Sequence, residues 1–272
     1  MTNPSFISVH RGTAPLVLSL PHTGTDIPDD IAADLVSPWL ARKDCDWWIE
    51  TLYDFAQELG TSTVRTGISR TAIDVNRDPS GVSLYPGQAT TELCPTTTFD
   101  GEPLYVEGKG PDVAARKTAY FEPYHAALSA EIERVRAEHG TMVLYDCHSI
   151  RSVIPRLFEG ALPHLNIGTN SGASCAPQLQ AEIEAICASS GFEHVSNARF
   201  KGGYITRHYG APARGVHAVQ MELACRVYMN EPLGPVDAGN WPTPFDPAYA
   251  APARAALTRI LEACIAFART AR

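Results

Sequence analysis

Short apolar runs alternate with longer segments of helical periodicity along the chain, a pattern typical of a sheet covered by helices. Apolar and β-branched runs predict strands at 15–20, 61–65, 71–75, 142–145, 165–168 and 216–223. Apolar residues at helical spacing predict helices over 46–59, 111–139, 176–189 and 252–271. Residues 76–110 are rich in Pro, Gly, Thr and Asp and predict one long loop. The pattern therefore predicts the α/β fold class.

The length of 272 residues, with 44% hydrophobic side chains, is enough for a large core. No linker-like run divides the chain, so we predict one domain over residues 1–272. No segment approaches the roughly 20 apolar residues of a membrane span. Residues 1–12 lack the basic start and apolar run of a secretory signal. We therefore expect a cytoplasmic protein without a membrane partner.

The formal net charge of -8, from 30 acidic and 22 basic residues, disfavours nucleic-acid binding. It permits a local cationic pocket for a small anion, since eight basic residues fall near predicted loops and strand ends. They are Arg70, Arg77, Arg151, Arg156, Arg199, Lys201, Arg207 and Arg214. The seven cysteines contain no CxxC pair, and we expect them to be reduced thiols.

Three ionisable residues lie at or just beyond the carboxyl ends of separate predicted strands: His22, His148 and Glu222. Open α/β sheets bind ligands outside these ends, so the three side chains are expected to converge. Asp46 begins a predicted helix, where an acidic residue serves equally well as a cap or as a functional carboxylate. Two imidazoles and one carboxylate with an open position form a common catalytic zinc site.

Such a site suggests metal-assisted hydrolysis, because a zinc ion acts as a Lewis acid and makes water more acidic. Glu222 would accept the proton of the water and deliver it to a leaving amine. Asp146 would orient a ligand histidine through a hydrogen bond. We expect a divalent metal cofactor, with Zn²⁺ preferred, although iron, cobalt and nickel also bind such ligands.

Nine segments resemble the N-formylglutamate amidohydrolase family, in the family's order and over nearly the whole chain. They are Pro21-His22-Thr23-Gly24, Asp46-Trp47-Trp48, Ser69-Arg70-Thr71-Ala72-Ile73-Asp74-Val75-Asn76-Arg77, Tyr85-Pro86-Gly87, Phe99-Asp100-Gly101-Glu102-Pro103-Leu104, Asp146-Cys147-His148-Ser149-Ile150-Arg151-Ser152, Gly172-Ala173-Ser174-Cys175, Phe200-Lys201-Gly202-Gly203-Tyr204-Ile205-Thr206-Arg207-His208-Tyr209-Gly210 and Gln220-Met221-Glu222-Leu223. The sixth and eighth are specific enough to make chance agreement implausible.

The resemblance implies a mixed sheet flanked by helices, similar to the zinc carboxypeptidases. It also implies hydrolysis of N-formyl-L-glutamate to formate and L-glutamate in histidine breakdown. In the carboxypeptidase relatives an acidic ligand follows the first histidine by three residues, but that position here is Thr25. The acid would come from Asp26 or Asp46, and we prefer Asp46 because it stands at the family's Asp-Trp pair. The implied metal ligands are then His22, Asp46 and His148, with Glu222 as the catalytic glutamate.

The implied substrate is a small dicarboxylate, and a guanidinium group binds a carboxylate in a bidentate way that lysine does not reproduce. Asn76 and Arg77 resemble the pair that holds a substrate carboxylate in carboxypeptidase relatives. The other candidate substrate-binding residues are Arg70, Arg151 and Arg207. Asp74 is expected to pair with an arginine.

Three alternatives remain open from the sequence. The first is a related amidohydrolase that acts on another N-acyl amino acid or a small peptide. The second is thiol hydrolysis by Cys147 beside His148, which is disfavoured because adjacent residues on a strand point to opposite faces. The third is a non-catalytic dicarboxylate-binding protein. The sequence also leaves the oligomeric state and a lid function of residues 76–110 open.

Overall fold

Seven strands form one sheet in the computed structural model, which describes residues 4–82, 87, 89–232 and 234–271. Tyr85 and Pro86 of the family segments, and part of the predicted 76–110 loop, lie outside the described residues. The strands are β1 (Ile7–His10), β2 (Leu16–Leu20), β3 (Ser62–Thr66), β4 (Met142–Ile150), β5 (Leu165–Gly168), β6 (His194–Ser196) and β7 (Val216–Ala224).

The strand order is β1-β3-β2-β4-β7-β5-β6. The central strands β3, β2, β4 and β7 run parallel to one another. β1 pairs antiparallel with β3, β5 pairs antiparallel with β7, and β6 runs parallel to β5. The α/β class and the mixed sheet are therefore confirmed, and the carboxyl ends of β2, β4 and β7 lie side by side.

The helices cover both faces of the sheet. They are α1 (Asp29–Ala32), α2 (Leu40–Lys43), α3 (Ile49–Leu52), α4 (Val113–Arg116), α5 (Glu122–His139), α6 (Pro177–Ala188), α7 (Tyr204–Tyr209) and α8 (Pro247–Thr270). One π-helical turn, Lys117–Phe121, joins α4 to α5, and short 3₁₀ turns occupy Asp54–Gln57, Pro212–Arg214 and Cys225–Val227. None of the helices in the described ranges combines the length and apolar character that a membrane crossing needs.

Two hydrophobic clusters form because successive strand residues point to opposite faces. Leu16, Leu18 and Leu20 belong to the cluster covered by α6 and α8, whereas Val17 belongs to the cluster covered by α5. The same alternation assigns the odd-numbered residues of β4 to the α8 face and its first even-numbered residues to the α5 face. The alternation of side chains along β4 and β7 therefore decides which of their residues point to the α5 face, where the candidate site lies.

The predicted strand at 71–75 is wrong. Ala72, Ile73 and Val75 are buried in the α5-side cluster, but the segment forms turns and pairs with no strand. Ile73 and Val75 pack in this cluster, while the Asp74 carboxylate accepts a hydrogen bond from Asn76 N at 2.9 Å. A buried segment that pairs with no strand can show the same pattern of apolar residues as a β-strand.

The predicted helix at 46–59 is broken into α3 and a 3₁₀ turn. Trp48, just before α3, has a positive φ of 64°, a conformation that α-helices exclude. The last helix begins at Pro247, ahead of the predicted Pro252, because Asp246 caps it by accepting hydrogen bonds from Ala248 N and Tyr249 N. Strands β1 and β6 were not predicted.

Candidate active site

Polar side chains replace apolar ones on the α5 face of β4 and β7 as both strands approach their carboxyl ends. On β4, Met142 and Leu144 are followed on that face by Asp146 and His148. On β7, Val216 and Ala218 are followed by Gln220 and Glu222. His148 and Glu222 are direct neighbours in the β4–β7 ladder. The sheet therefore places the His148 imidazole and the Glu222 carboxylate at adjacent positions.

His22, two residues beyond β2, and Asp46, which precedes α3, complete a cluster with His148. The Nδ1 atoms of the two histidines are 3.2 Å apart. Asp46 Oδ2 lies 3.3 Å from His148 Nδ1 and 3.8 Å from His22 Nδ1. Tetrahedral coordination with bonds of about 2.0–2.2 Å separates ligand atoms by about 3.3–3.6 Å. The three predicted metal ligands therefore meet at a spacing that suits one cation.

A carboxylate holds the far nitrogen of each imidazole. His22 Nε2 lies 2.6 Å from Asp74 Oδ1, and His148 Nε2 lies 2.9 Å from Asp146 Oδ2. A proton on each Nε2 leaves each Nδ1 lone pair directed at the centre of the cluster, which is the usual arrangement of metal-binding histidines. Asp46 Oδ1 accepts from Arg70 and Oδ2 from Ser149 N, so the third donor is also fixed.

The electrostatics of the cluster favour a positive charge between the three side chains. Burial tends to raise the pKa of Asp46, but His148, His22 and Arg70 outweigh it and lower that pKa. Burial tends to lower the pKa of His148, but Asp146 and Asp46 raise it well above its ordinary value, so a cation that binds His148 displaces a proton from this imidazole. Burial and the Arg70 charge lower the pKa of His22, which favours its neutral, ligating form. The donor set therefore fits a divalent cation.

Glu222 is buried beside this cluster, with 6% of its surface exposed. Burial and the neighbouring carboxylates Asp46 and Asp146, opposed by His148 and Arg70, raise the pKa of Glu222 to about 7. Its Oε2 accepts a hydrogen bond from Gln220 Nε2 at 3.1 Å. A carboxylate in this environment can both take and return a proton near neutral pH.

The cluster opens into a cavity lined by polar and apolar side chains. Three arginines line it: Arg70, Arg77 and Arg199. Apolar surface is supplied by Phe99, Ile150, Leu157 and Phe200. The cavity combines cationic and apolar walls with His22, His148 and Glu222, as binding and hydrolysis of a small anion require.

The structure separates the predicted substrate-binding residues into two groups. Arg70, Asn76 and Arg77 line the cavity, but Arg151 and Arg207 do not. Arg151 contacts Asp44 and Asp100 at 3.2 and 2.6 Å, and Arg207 Nε donates to Gly202 O at 2.8 Å. The sequence alone does not distinguish an arginine that forms internal contacts from one that faces a ligand.

Asn76 is directed into the protein. Its Oδ1 accepts from Ile205 N at 2.8 Å, which fixes the amide orientation. Its Nδ2 then donates to Asp146 Oδ2 at 3.2 Å, the same oxygen that lies 2.9 Å from His148 Nε2. This amide therefore fixes the carboxylate that orients His148, a role that the sequence did not suggest.

Asp74 binds Arg70 at 2.9 Å, as expected of its pairing with an arginine, and also holds His22. The second contact was not predicted. His125, which carried no predicted role, lies 2.8 Å from Val75 O through Nε2 and 2.9 Å from the Tyr209 hydroxyl through Nδ1. These contacts fix the turn that carries Asp74. In the sequence, only the position of His125 on the inner side of α5 distinguishes it from a surface histidine.

Cys147 lies on the opposite face of β4 from His148, fully buried in the α8-side cluster. Burial raises the pKa of its thiol well above the ordinary value, so the thiolate is disfavoured. The geometry gives no support to a cysteine–histidine pair. All seven cysteines are buried, free thiols.

Comparison with known proteins gives consistent matches. The profile of the N-formylglutamate amidohydrolase family matches residues 14–229. The chain is 46% identical over 267 residues to the N-formylglutamate deformylase of Pseudomonas aeruginosa, covering 97% of each chain. It is 45% identical over 266 residues to the N-formylglutamate deformylase of Pseudomonas putida, covering 96% of each.

Two solved structures share the fold. An N-formylglutamate amidohydrolase from Ralstonia eutropha JMP134 has a TM-score of 0.79 at 21% identity, covering 99% of this chain and 100% of that one. A protein from Agrobacterium tumefaciens has a TM-score of 0.69 at 16% identity, covering 98% and 96%. The family profile and the extended identity to the two Pseudomonas proteins show that this chain belongs to the N-formylglutamate amidohydrolase family.

Proposed function

We propose that this protein is a metal-dependent amidohydrolase that cleaves N-formyl-L-glutamate into formate and L-glutamate. The observation that carries the proposal is the meeting of His22, Asp46 and His148 at separations of 3.2–3.8 Å beside Glu222. The Pseudomonas relatives bear the name of this activity.

The expected cofactor is one divalent cation, with Zn²⁺ preferred for two nitrogen donors and one carboxylate. His22 Nδ1, His148 Nδ1 and Asp46 Oδ2 are the atoms that would hold it. When bound, such an ion supplies Lewis-acid chemistry, which polarises a carbonyl group and makes water more acidic. Asp74 and Asp146 keep the two imidazoles in the required tautomer and orientation.

Glu222 is the proposed general base and then the general acid. As water attacks the formyl carbon, the Glu222 carboxylate accepts its proton and the carbonyl carbon becomes tetrahedral. Glu222 then gives the proton to the amide nitrogen, the carbon–nitrogen bond breaks, and formate and the amine of glutamate separate. A pKa of about 7 suits a group that performs both transfers.

The arginines that line the cavity are the proposed contacts of the two substrate carboxylates. Arg70 is held rigidly, because Asp46 and Asp74 bind its two terminal nitrogens and Phe99 packs against its guanidinium at 4.8 Å. Arg77 is anchored through Nε and Nη2 to Thr91 at 3.1 and 3.2 Å. Such fixed groups place the formyl carbon for attack. Arg199 is the third proposed contact.

The proposed fold relationship is to zinc carboxypeptidases, with a single domain over residues 1–272. The proposed cellular role is histidine degradation in the cytoplasm. α8 lies beyond the region matched by the family profile, yet its Leu257, Ile260 and Leu261 are fully buried in the sheet's core cluster. Its packing supports the inclusion of α8 in the same domain.

The test combines metal analysis with formate release. The purified protein is assayed for bound metal and for formate production from N-formyl-L-glutamate, before and after chelation and after readdition of Zn²⁺. We expect one ion per chain, loss of turnover on chelation and its return with Zn²⁺. A panel containing N-acetyl-L-glutamate and N-formyl-L-leucine checks the acyl group and the side-chain carboxylate. Full activity in the metal-free protein would contradict the metal dependence, and preference for the acetyl compound would contradict deformylation.

A further inference from the structure

Gln220 lies two residues before Glu222 on β7, so both side chains point to the same face of the sheet. Both line the cavity, and Gln220 is 3% exposed. A buried amide must satisfy its donors and its acceptor within the protein, because an unsatisfied one is costly. Its hydrogen-bond partners therefore indicate what it does.

The orientation of the Gln220 amide is determined by a backbone donor. Gly203 N donates to Gln220 Oε1 at 2.7 Å. Since N–H groups donate only, the opposite end of the amide must be Nε2, which donates to Glu222 Oε2 at 3.1 Å. The hydrogen bond to Glu222 thus has a fixed direction.

The backbone donor is itself held in place by Asn76. A Cβ atom at residue 203 would lie 2.4–2.6 Å from the Asn76 amide, so only glycine permits this approach. Tyr204 N donates to Asn76 O, and Ile205 N donates to Asn76 Oδ1, which anchors the start of α7. A continuous chain of contacts therefore runs from Asn76 through Gly203 and Gln220 to Glu222.

We propose that Gln220 is a positioning residue that holds Glu222 Oε2, so that Oε1 is the atom that exchanges protons during hydrolysis. This inference rests on the proposed role of Glu222 as general base. A glutamate side chain has several rotatable bonds, and ordering them costs conformational entropy. If the side chain is fixed before the reaction, this cost is not part of the activation barrier. Asn76 also contacts Asp146, so the same network orients the base and a metal-ligating imidazole.

The test uses Gln220→Met, which keeps the side-chain length and removes the amide, and Gln220→Asn, which keeps an amide but withdraws it from Glu222. Gln180→Met is the matched control, because Gln180 donates to Glu184 Oε1 at 2.8 Å on α6, away from the cavity. The readouts are kcat, KM for N-formyl-L-glutamate, bound zinc and thermal unfolding.

We expect either Gln220 variant to lower kcat about 10- to 100-fold, equivalent to about 1.4–2.7 kcal/mol in the barrier. KM and bound zinc should stay within about twofold of wild type, as expected when only transition-state positioning is lost. Gln180→Met should leave kcat, KM and bound zinc unchanged. If one Gln220 variant does not fold, the other decides the outcome.

A folded Gln220 variant with wild-type kcat would overturn the inference, as would a loss that appears only in KM or in step with bound zinc. Glu222→Gln, measured in parallel, separates this failure from that of the proposed function. If Glu222→Gln is inactive while the Gln220 variants turn over normally, only the role of Gln220 is refuted. If Glu222→Gln is fully active, the proposed role of Glu222 as general base is refuted, and the inference about Gln220 that depends on it is refuted as well.

Discussion

Asp74→Asn is the substitution that most directly tests how the His22 imidazole is held in position for a cation. Asp74 Oδ1 contacts His22 Nε2 at 2.6 Å and accepts from Asn76 N at 2.9 Å, while Oδ2 accepts from Arg70 at 2.9 Å. Asparagine has the same shape, so its oxygen retains the first two contacts. Its Nδ2 then faces the Arg70 donor, and the negative charge beside His22 is lost.

The size of the effect follows from these contacts. A hydrogen bond to a charged partner contributes about 1.5–3 kcal/mol and a neutral one about 0.5–1.5, so the His22 imidazole loses about 1–2 kcal/mol of support. Substitutions that remove the partner of a ligand histidine weaken metal affinity about 10- to 100-fold. We expect the zinc Kd of Asp74→Asn to rise within that range.

The assay is competition for Zn²⁺ against a chromophoric chelator, with far-UV circular dichroism as a check of folding. Asp54→Asn is the control, since Asp54 pairs with Arg254 on the surface at 2.6 Å and is remote from the cluster. Wild-type zinc affinity in a folded Asp74→Asn protein would refute the role of the Asp74–His22 contact. An equal loss in the control would show that the effect is not specific to the site.

Three further predictions concern chemistry, substrate binding and stability. Glu222→Gln should retain its metal and lose about 10²- to 10⁴-fold in kcat, measured by formate release, because amide replaces the proton acceptor; wild-type turnover would exclude Glu222. Arg77→Lys should raise KM for N-formyl-L-glutamate about tenfold, since lysine lacks the paired donors; an unchanged KM would remove Arg77 from the substrate contacts. Burial tends to raise the pKa of Glu131, but hydrogen bonds from Arg134 and Ser62 lower it below 4.5. This ionised group therefore stabilises the fold above the unfolded pKa and loses that contribution as pH falls through the lower folded value. Glu131→Gln should cost about 1–3 kcal/mol in urea unfolding at pH 7, and the difference should shrink as pH falls below about 4.5; a pH-independent difference would contradict this account.

Local sequence patterns identified β2, β7 and the first four residues of β4, because these segments are rich in apolar residues and bounded by turn residues; β4 continues to Ile150. They also indicated where the chemistry lies, since Asp146 and His148 interrupt an apolar run that a core alone would continue. Local patterns did not distinguish the buried turn at 71–75 from a strand. They also gave no sign that Trp48 takes a positive φ and breaks the predicted helix after Asp46. Both departures occur beside the site, where tertiary contacts outweigh local propensity.

The sequence by itself determined the α/β class, the membership of a family and the side chains available for coordination and proton transfer. Those properties follow from residue type and from periods of two or 3.6 residues, which are local. Only the tertiary structure decided that Asp74 and Asp146 hold the imidazoles, that Arg199 lines the cavity while Arg151 does not, and that Gln220 holds Glu222. A hydrogen bond depends on the distance and direction between atoms far apart along the chain, and folding alone sets these.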